Sequence, residues 1–207
     1  MVLRLLVLLC IFLVVSPGRA SADTFAVTNT SDSGPGSLRQ AIIDANAHVN
    51  SSVVDVVGFN IPGTGVHTIT LASSLPDMTE GVTIDGWSQP GFQGRPLIEL
   101  TAGPGLVADG LRLGASSITI RGLIINGFQT GIFIEAPGSE GDPPDHSIED
   151  HVIQGCYIGT DKTGTKMAPN NRGIVILGAW QGAIGGSAVG AGNLISGNLS
   201  SGIRKSP

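Results

Sequence analysis

Only 13% of the 207 residues are charged and 4% are aromatic, whereas glycine contributes 31. Charge at about half the usual quarter and glycine at about twice its usual share argue against a helix-rich globule, and the 41% hydrophobic content excludes a disordered chain. A formal charge of −5, with no run of bases, argues against nucleic acid or an anionic membrane as a partner.

The first predicted element is an export leader over residues 1–22. Arg4 supplies a positive start, Leu5 to Val15 is unbroken and apolar, and Pro17-Gly18 precedes the small-residue site Ala20-Ser21-Ala22, which places cleavage before Asp23. The apolar run falls short of the roughly 18–20 residues that cross a bilayer, and nothing after it could span one. Leu9 stands before Cys10 where a lipid-attachment signal wants a small residue. Cleavage removes Arg4, Arg19 and Cys10, leaving nine bases against sixteen acids, a net charge near −7, and Cys156 as the only mature cysteine. No intrachain disulfide can then form, so stability must come from packing and backbone hydrogen bonds.

Residues 23–52 read as a strand followed by a short helix. Ser37 and Gln40 form an S-x-x-Q capping box after Gly34-Pro35-Gly36, and Leu38, Ala41, Ile42 and Ala45 fall at i, i+3, i+4 and i+7, giving one apolar face. From residue 53 onward the periodicity changes. Strand-like runs at Val53–Phe59, His67–Leu71, Gly81–Asp85 and Pro96–Leu100 are followed by Ile-rich segments, each bounded by turn residues.

These segments repeat. Leu123-Ile124-Ile125-Asn126-Gly127 aligns with His151-Val152-Ile153-Gln154-Gly155 and with Asn193-Leu194-Ile195-Ser196-Gly197, and the next strand starts in step at Gly131, Gly159 and Gly202. Gly110-Leu111-Arg112-Leu113, Gly131-Ile132-Phe133-Ile134 and Gly173-Ile174-Val175-Ile176 form a second repeating type. A period of about 20–30 residues with glycine or asparagine at the bends describes stacked coils, in which like residues form ladders about 4.8 Å apart. Asn193 and Asn198 suit bends, because a short amide bonds the backbone and tolerates left-handed geometry.

The stretch Thr24-Phe25-Ala26-Val27-Thr28-Asn29-Thr30-Ser31-Asp32-Ser33-Gly34-Pro35-Gly36-Ser37-Leu38-Arg39-Gln40-Ala41-Ile42 strongly resembles the opening of bacterial secreted parallel β-helix repeat proteins of the pectin-lyase-like group. Val82-Thr83-Ile84-Asp85-Gly86-Trp87-Ser88-Gln89-Pro90-Gly91, Tyr157-Ile158-Gly159-Thr160-Asp161 and Asn193–Asn198 are similar to further stretches of that pattern. The resemblance implies an all-β, right-handed parallel β-helix with an N-terminal capping helix. It also implies a secreted or cell-surface protein of the adhesin or glycan-associated kind, with an extracellular glycan or cell-surface component as partner. The coils over 53–207 stop just after a strand-type repeat has begun. A fragment of a longer solenoid, or end-to-end self-association through an open edge, is therefore expected.

Catalysis is the competing expectation, since this architecture also hosts polysaccharide lyases, hydrolases and epimerases. A lyase needs acids that hold calcium against a uronate, together with a base, and a hydrolase needs two facing carboxylates. The candidates are Asp142, Asp145, His146, Glu149, Asp150 and His151, with Arg121 expected one coil earlier in register with Glu149. Because Gly138–Pro144 reads as a solvated excursion, and the chain lacks an adjacent Asp pair, a Gly-His-Gly segment and an Asp-Pro-His-Glu motif, no catalytic, cofactor or metal residue is assigned. Calcium at Asp161 with Asn170 or Asn171 is the one cofactor left open. Trp87 and Trp180, both beside turn residues, are either platforms for sugar rings or covers for the edge of the stack. A non-catalytic glycan-binding module is the leading reading, ahead of a polysaccharide-active enzyme and of a structural spacer. The sequons at Asn29, Asn50 and Asn198 would matter only in a eukaryotic secretory route.

Overall fold

The computed structural model describes residues 22–50, 53–135, 148–178 and 180–206. The expected leader apart from Ala22 lies outside them, including Cys10, as do Asp142, Asp145 and His146. After strand β1 (Thr24–Val27) comes helix α1 (Leu38–Ala47). The strands β2 (Asp55–Phe59), β3 (His67–Leu71), β4 (Val82–Asp85), β5 (Ile98–Ala102), β6 (Asp109–Leu113), β7 (Thr119–Arg121), β8 (Leu123–Asn126) and β9 (Thr130–Glu135) follow. The remainder are β10 (Ile148–Gln154), β11 (Tyr157–Ile158), β12 (Arg172–Leu177), β13 (Trp180–Ile184), β14 (Leu194–Ile195) and β15 (Ser201–Ser206).

All strand pairs are parallel, and they form three sheets: β1-β2-β4-β7-β10-β13, β3-β5-β8-β11-β14 and β6-β9-β12-β15. From β4 onward the chain visits first, second and third sheet in the same order, round after round. An earlier visit to the third sheet is marked by the parallel bridge between Met78 and Leu113. Register turns this order into ladders. Val57, Ile84, Ile120, Ile153 and Ile184 stand in line in the first sheet, Ile69, Leu100, Ile125, Ile158 and Ile195 in the second, and Leu111, Ile132, Ile174 and Ile203 in the third. Within the stack these branched side chains are fully buried in one apolar cluster with few aromatics, while at the last round Ile184 and Ile195 are partly buried against it and Ile203 is exposed.

Helix α1 closes one end. Its buried residues are Leu38, Ala41, Ile42 and Ala45, the face expected from the sequence, and they join the same cluster. The capping box is half realised: Ser37 Oγ accepts from the Gln40 amide at 3.2 Å, but the Gln40 side chain donates to Asp44 Oδ1 instead of reaching back. The motif carrying the resemblance acts locally. Arg39 pairs with Asp32 Oδ1 at 2.8 Å and donates to the carbonyls of Ser73 and Ser74, while Asp32 Oδ1 also accepts the Ala72 amide, so the helix is tied to the loop after β3.

Two alignments need correction. His151–Gln154 belongs to the first sheet and pairs with β7, whereas the second-sheet partner of Ile124 and Leu194 is Tyr157. Gly159 accordingly follows a second-sheet strand, and the third-sheet glycine matching Gly131 and Gly202 is Gly173. The error has a physical origin, since legs of different sheets share the same apolar run ending in an amide and a corner glycine. Asn193 and Asn198 bond neighbouring backbone as expected, but neither adopts left-handed geometry. Asn193 accepts the Cys156 amide and donates to Ile153, and Asn198 donates to Ile158 and accepts from fully buried Asn170.

Candidate functional site

Of the catalytic candidates inside the described residues, Glu149 and Asp150 are exposed on β10, and His151 is buried. Trp180 Nε1 can only donate, so His151 Nδ1 accepts at 2.9 Å; the carbonyl of Ala115 can only accept, so Nε2 carries the proton at 2.7 Å. Burial lowers the pKa of this imidazole. Both nitrogens are committed, which leaves no lone pair for a general base.

Arg121 does not meet Glu149. Its register partners are Gln154 in β10 and Asp85 in β4, and its guanidinium grips both Asp85 oxygens at 2.7 and 2.8 Å. Asp85 also accepts the Trp87 amide, Ser88 Oγ bridges Asp85 and Phe59, and the buried Gln89 amide brackets the backbone of Ile61. The whole Asp85–Gln89 stretch therefore staples successive rounds together.

The tryptophans are committed to packing as well. A Cβ at Gly122 would sit 2.3 Å from Trp87 Cδ1 and one at Gly155 3.0 Å from its Nε1, so the indole lies across two glycine corners, with Arg121 4.8 Å from its ring centroid. Trp180 packs against the core cluster. Two of the calcium candidates already have partners within the protein. Asp161 accepts from Thr163, Thr165 and Lys166 in its own turn, and Asn170 is spent on Phe128, Ile125 and Asn198. Among the described residues no group of three or more His, Cys, Asp or Glu is placed to hold a metal.

A constellation the sequence reading missed lies on the outer face of the third sheet. Leu111 and Leu113 point inward, so the residue between them, Arg112, points out, and its register partners are Phe133, Val175 and Arg204 in turn. Arg112 Nε lies 3.2 Å from Asp77, Nη1 2.9 Å from Asp109 and Nη2 2.9 Å from Glu135, with Cζ 4.5 Å from the Phe133 ring centroid. Asp77 reaches it because the adjacent Met78 bridges Leu113. Partial burial opposes the guanidinium charge, but the hydrogen bond with Asp109 and the neighbouring Asp77 outweigh it and raise the pKa of Arg112.

Asp77, Arg112, Leu113, Gly114, Phe133 and Glu135 line a groove of about 200 Å³. Three carboxylates around one guanidinium leave this region net negative, with carboxylate oxygens as acceptors and the Phe133 ring in the same lining. The only sequence signal was positional: aligned third-sheet strands place Arg112 and Phe133 at one outward rung, while nothing flagged Asp77. No protein-family model and no curated protein sequence matches the chain.

Proposed function

We propose that this chain is an exported right-handed parallel β-helix of the pectin-lyase-like kind that acts at or outside the cell surface as a non-catalytic glycan-binding module. The cyclic visiting order of three parallel sheets, the helix over one end and the opening motif support the architecture. The observation that carries the binding reading is the Arg112 groove. Carboxylates fixed by a guanidinium present oriented acceptors to sugar hydroxyls, and the Phe133 ring adds apolar aromatic surface for the C–H face of a sugar. The negative groove and the acidic mature chain favour neutral glycans over uronate or sulfated polymers. Self-association through strand edges at the end opposite α1 is the second partner relation in this reading. An array of neutral and acidic glycans, probed with the mature chain and with Phe133→Ala, tests it: binding confined to neutral structures and at least tenfold weaker in the variant is expected. Release of reducing ends or unsaturated products from any polymer would replace this reading with that of a polysaccharide-active enzyme.

A further inference from the structure

The backbone nitrogen of Asp23 lies 2.9 Å from Oδ1 of Asp55. Asp55 opens β2 and is 1% exposed, so its carboxylate depends on the partners around it. Oδ2 lies 2.7 Å from Nδ1 of His48, just past α1, and Nε2 of the same imidazole lies 3.3 Å from Asp23 Oδ2. The Asp55 amide is held by Asn50 Oδ1. Two carboxylates thus share one imidazole where β1, the end of α1 and β2 meet.

Asp23 is also the residue that cleavage after Ala20-Ser21-Ala22 would expose. In the precursor its nitrogen is an uncharged peptide amide with one hydrogen. Hydrolysis of the Ala22–Asp23 bond adds hydroxide to the Ala22 carbonyl carbon and a proton to the nitrogen, which takes a second proton from solvent below its ordinary pKa of about 7.7–8.0. An ammonium then stands where the amide stood, and a charge-assisted hydrogen bond is roughly twice as strong as a neutral one.

We propose that removal of the leader turns this junction into an ion cluster, in which the new α-ammonium of Asp23 pairs with the buried Asp55 carboxylate and locks β1 and α1 over the end of the sheets. The proposal rests on the export reading above for the position of cleavage. Chain termini commonly fray unless tied down, and β1 is a four-residue edge strand that pairs with no strand but β2 among the described residues. Maturation supplies the tie at the point where fraying would begin.

The test compares chain beginning at Asp23, released from a fusion partner by a protease that leaves no residue behind, with chain that retains residues 19–22. The Asp23 form is expected to melt about 2–4 °C higher, with an α-amino group that titrates about one unit above the ordinary range by NMR. Both differences should vanish in Asp55→Asn; if that variant does not fold, the α-amino titration of the unmutated chain decides alone. Equal melting with an ordinary α-amino pKa overturns the lock. N-terminal sequencing of exported protein separates this from failure of the export reading, since a start other than Asp23 overturns the cleavage position itself.

Discussion

Arg121 and Asp85 face each other across one rung of the first sheet, joined by two parallel hydrogen bonds of 2.7 and 2.8 Å. Asp85 is largely buried and also caps the turn at Trp87, so losing its partner leaves a carboxylate only partly satisfied. Arg121→Met is expected to cost about 1–2 kcal/mol, given the partial exposure of the arginine. Urea unfolding measures it, and a midpoint unchanged from the parent would show that the pair contributes nothing.

The two described imidazoles with resolved shifts pull stability in opposite directions with pH. His48 is raised, first by its hydrogen bond to Asp55, so its contribution is fully present below the ordinary histidine pKa and is lost as pH rises through the raised value. His151 is lowered by burial, so its contribution is present above the ordinary value and is lost as pH falls through the lowered one. Stability is therefore expected to peak near pH 6–7. His48→Gln should flatten the alkaline side of the profile and Trp180→Phe should leave that side intact. Melting curves between pH 5 and 8 check this, and an unaltered alkaline slope in His48→Gln contradicts it.

Gly110, Gly131, Gly173 and Gly202 occupy one rung position in four successive third-sheet strands, and a Cβ on Gly173 would lie 2.3 Å from the Gly202 carbonyl oxygen. The opposing atom is backbone and cannot swing aside. Gly173→Ala is expected to lose about 1–3 kcal/mol or more. Gly192→Ala, whose added carbon meets nothing within 4 Å, should stay within about 0.5 kcal/mol. Similar unfolding midpoints for the two variants would mean the strands are not stacked in this register.

Much of this architecture was legible because the signals are local. The apolar face of α1 and the bounds of β3 read directly from spacing, and Gly131 and Gly173 were aligned correctly. The register of His151–Gln154 was not legible, because a first-sheet leg ending in Gln-Gly and a second-sheet leg ending in Asn-Gly present the same apolar run, amide and glycine in sequence. The Arg121 partnership failed for the same reason, since aligning Leu123 with His151 set it against Glu149 when its partner in β10 is Gln154. The Arg112 groove was hidden more deeply. Its acids come from separate loops and strands, and only the stacking of rounds brings Asp77, Asp109 and Glu135 to one guanidinium.

β13, β14 and β15 are the outermost strands at one end of the three sheets, and Leu199 and Ile203 there are 69% and 49% exposed. Unpaired strand edges recruit further strands, and Arg204 and Lys205 blunt only one of the three. Residues 23–207 expressed alone are expected to form dimers or larger species by light scattering, with Ile203→Lys shifting the population toward monomer. A monodisperse monomer across the concentration range would contradict association through this edge.

Glycan binding in the Arg112 groove can be read residue by residue by NMR titration of the mature chain with a neutral oligosaccharide selected by array. The guanidinium Nε–H of Arg112 lies beside Asp77, and the Phe133 ring lies beside Glu135, so both report on any ligand that engages these carboxylates. Saturable shifts are expected at Arg112 and Phe133, fading outside the third sheet and weakening at least tenfold in Asp77→Asn. Shifts confined to another face, or none at saturating sugar, would contradict it.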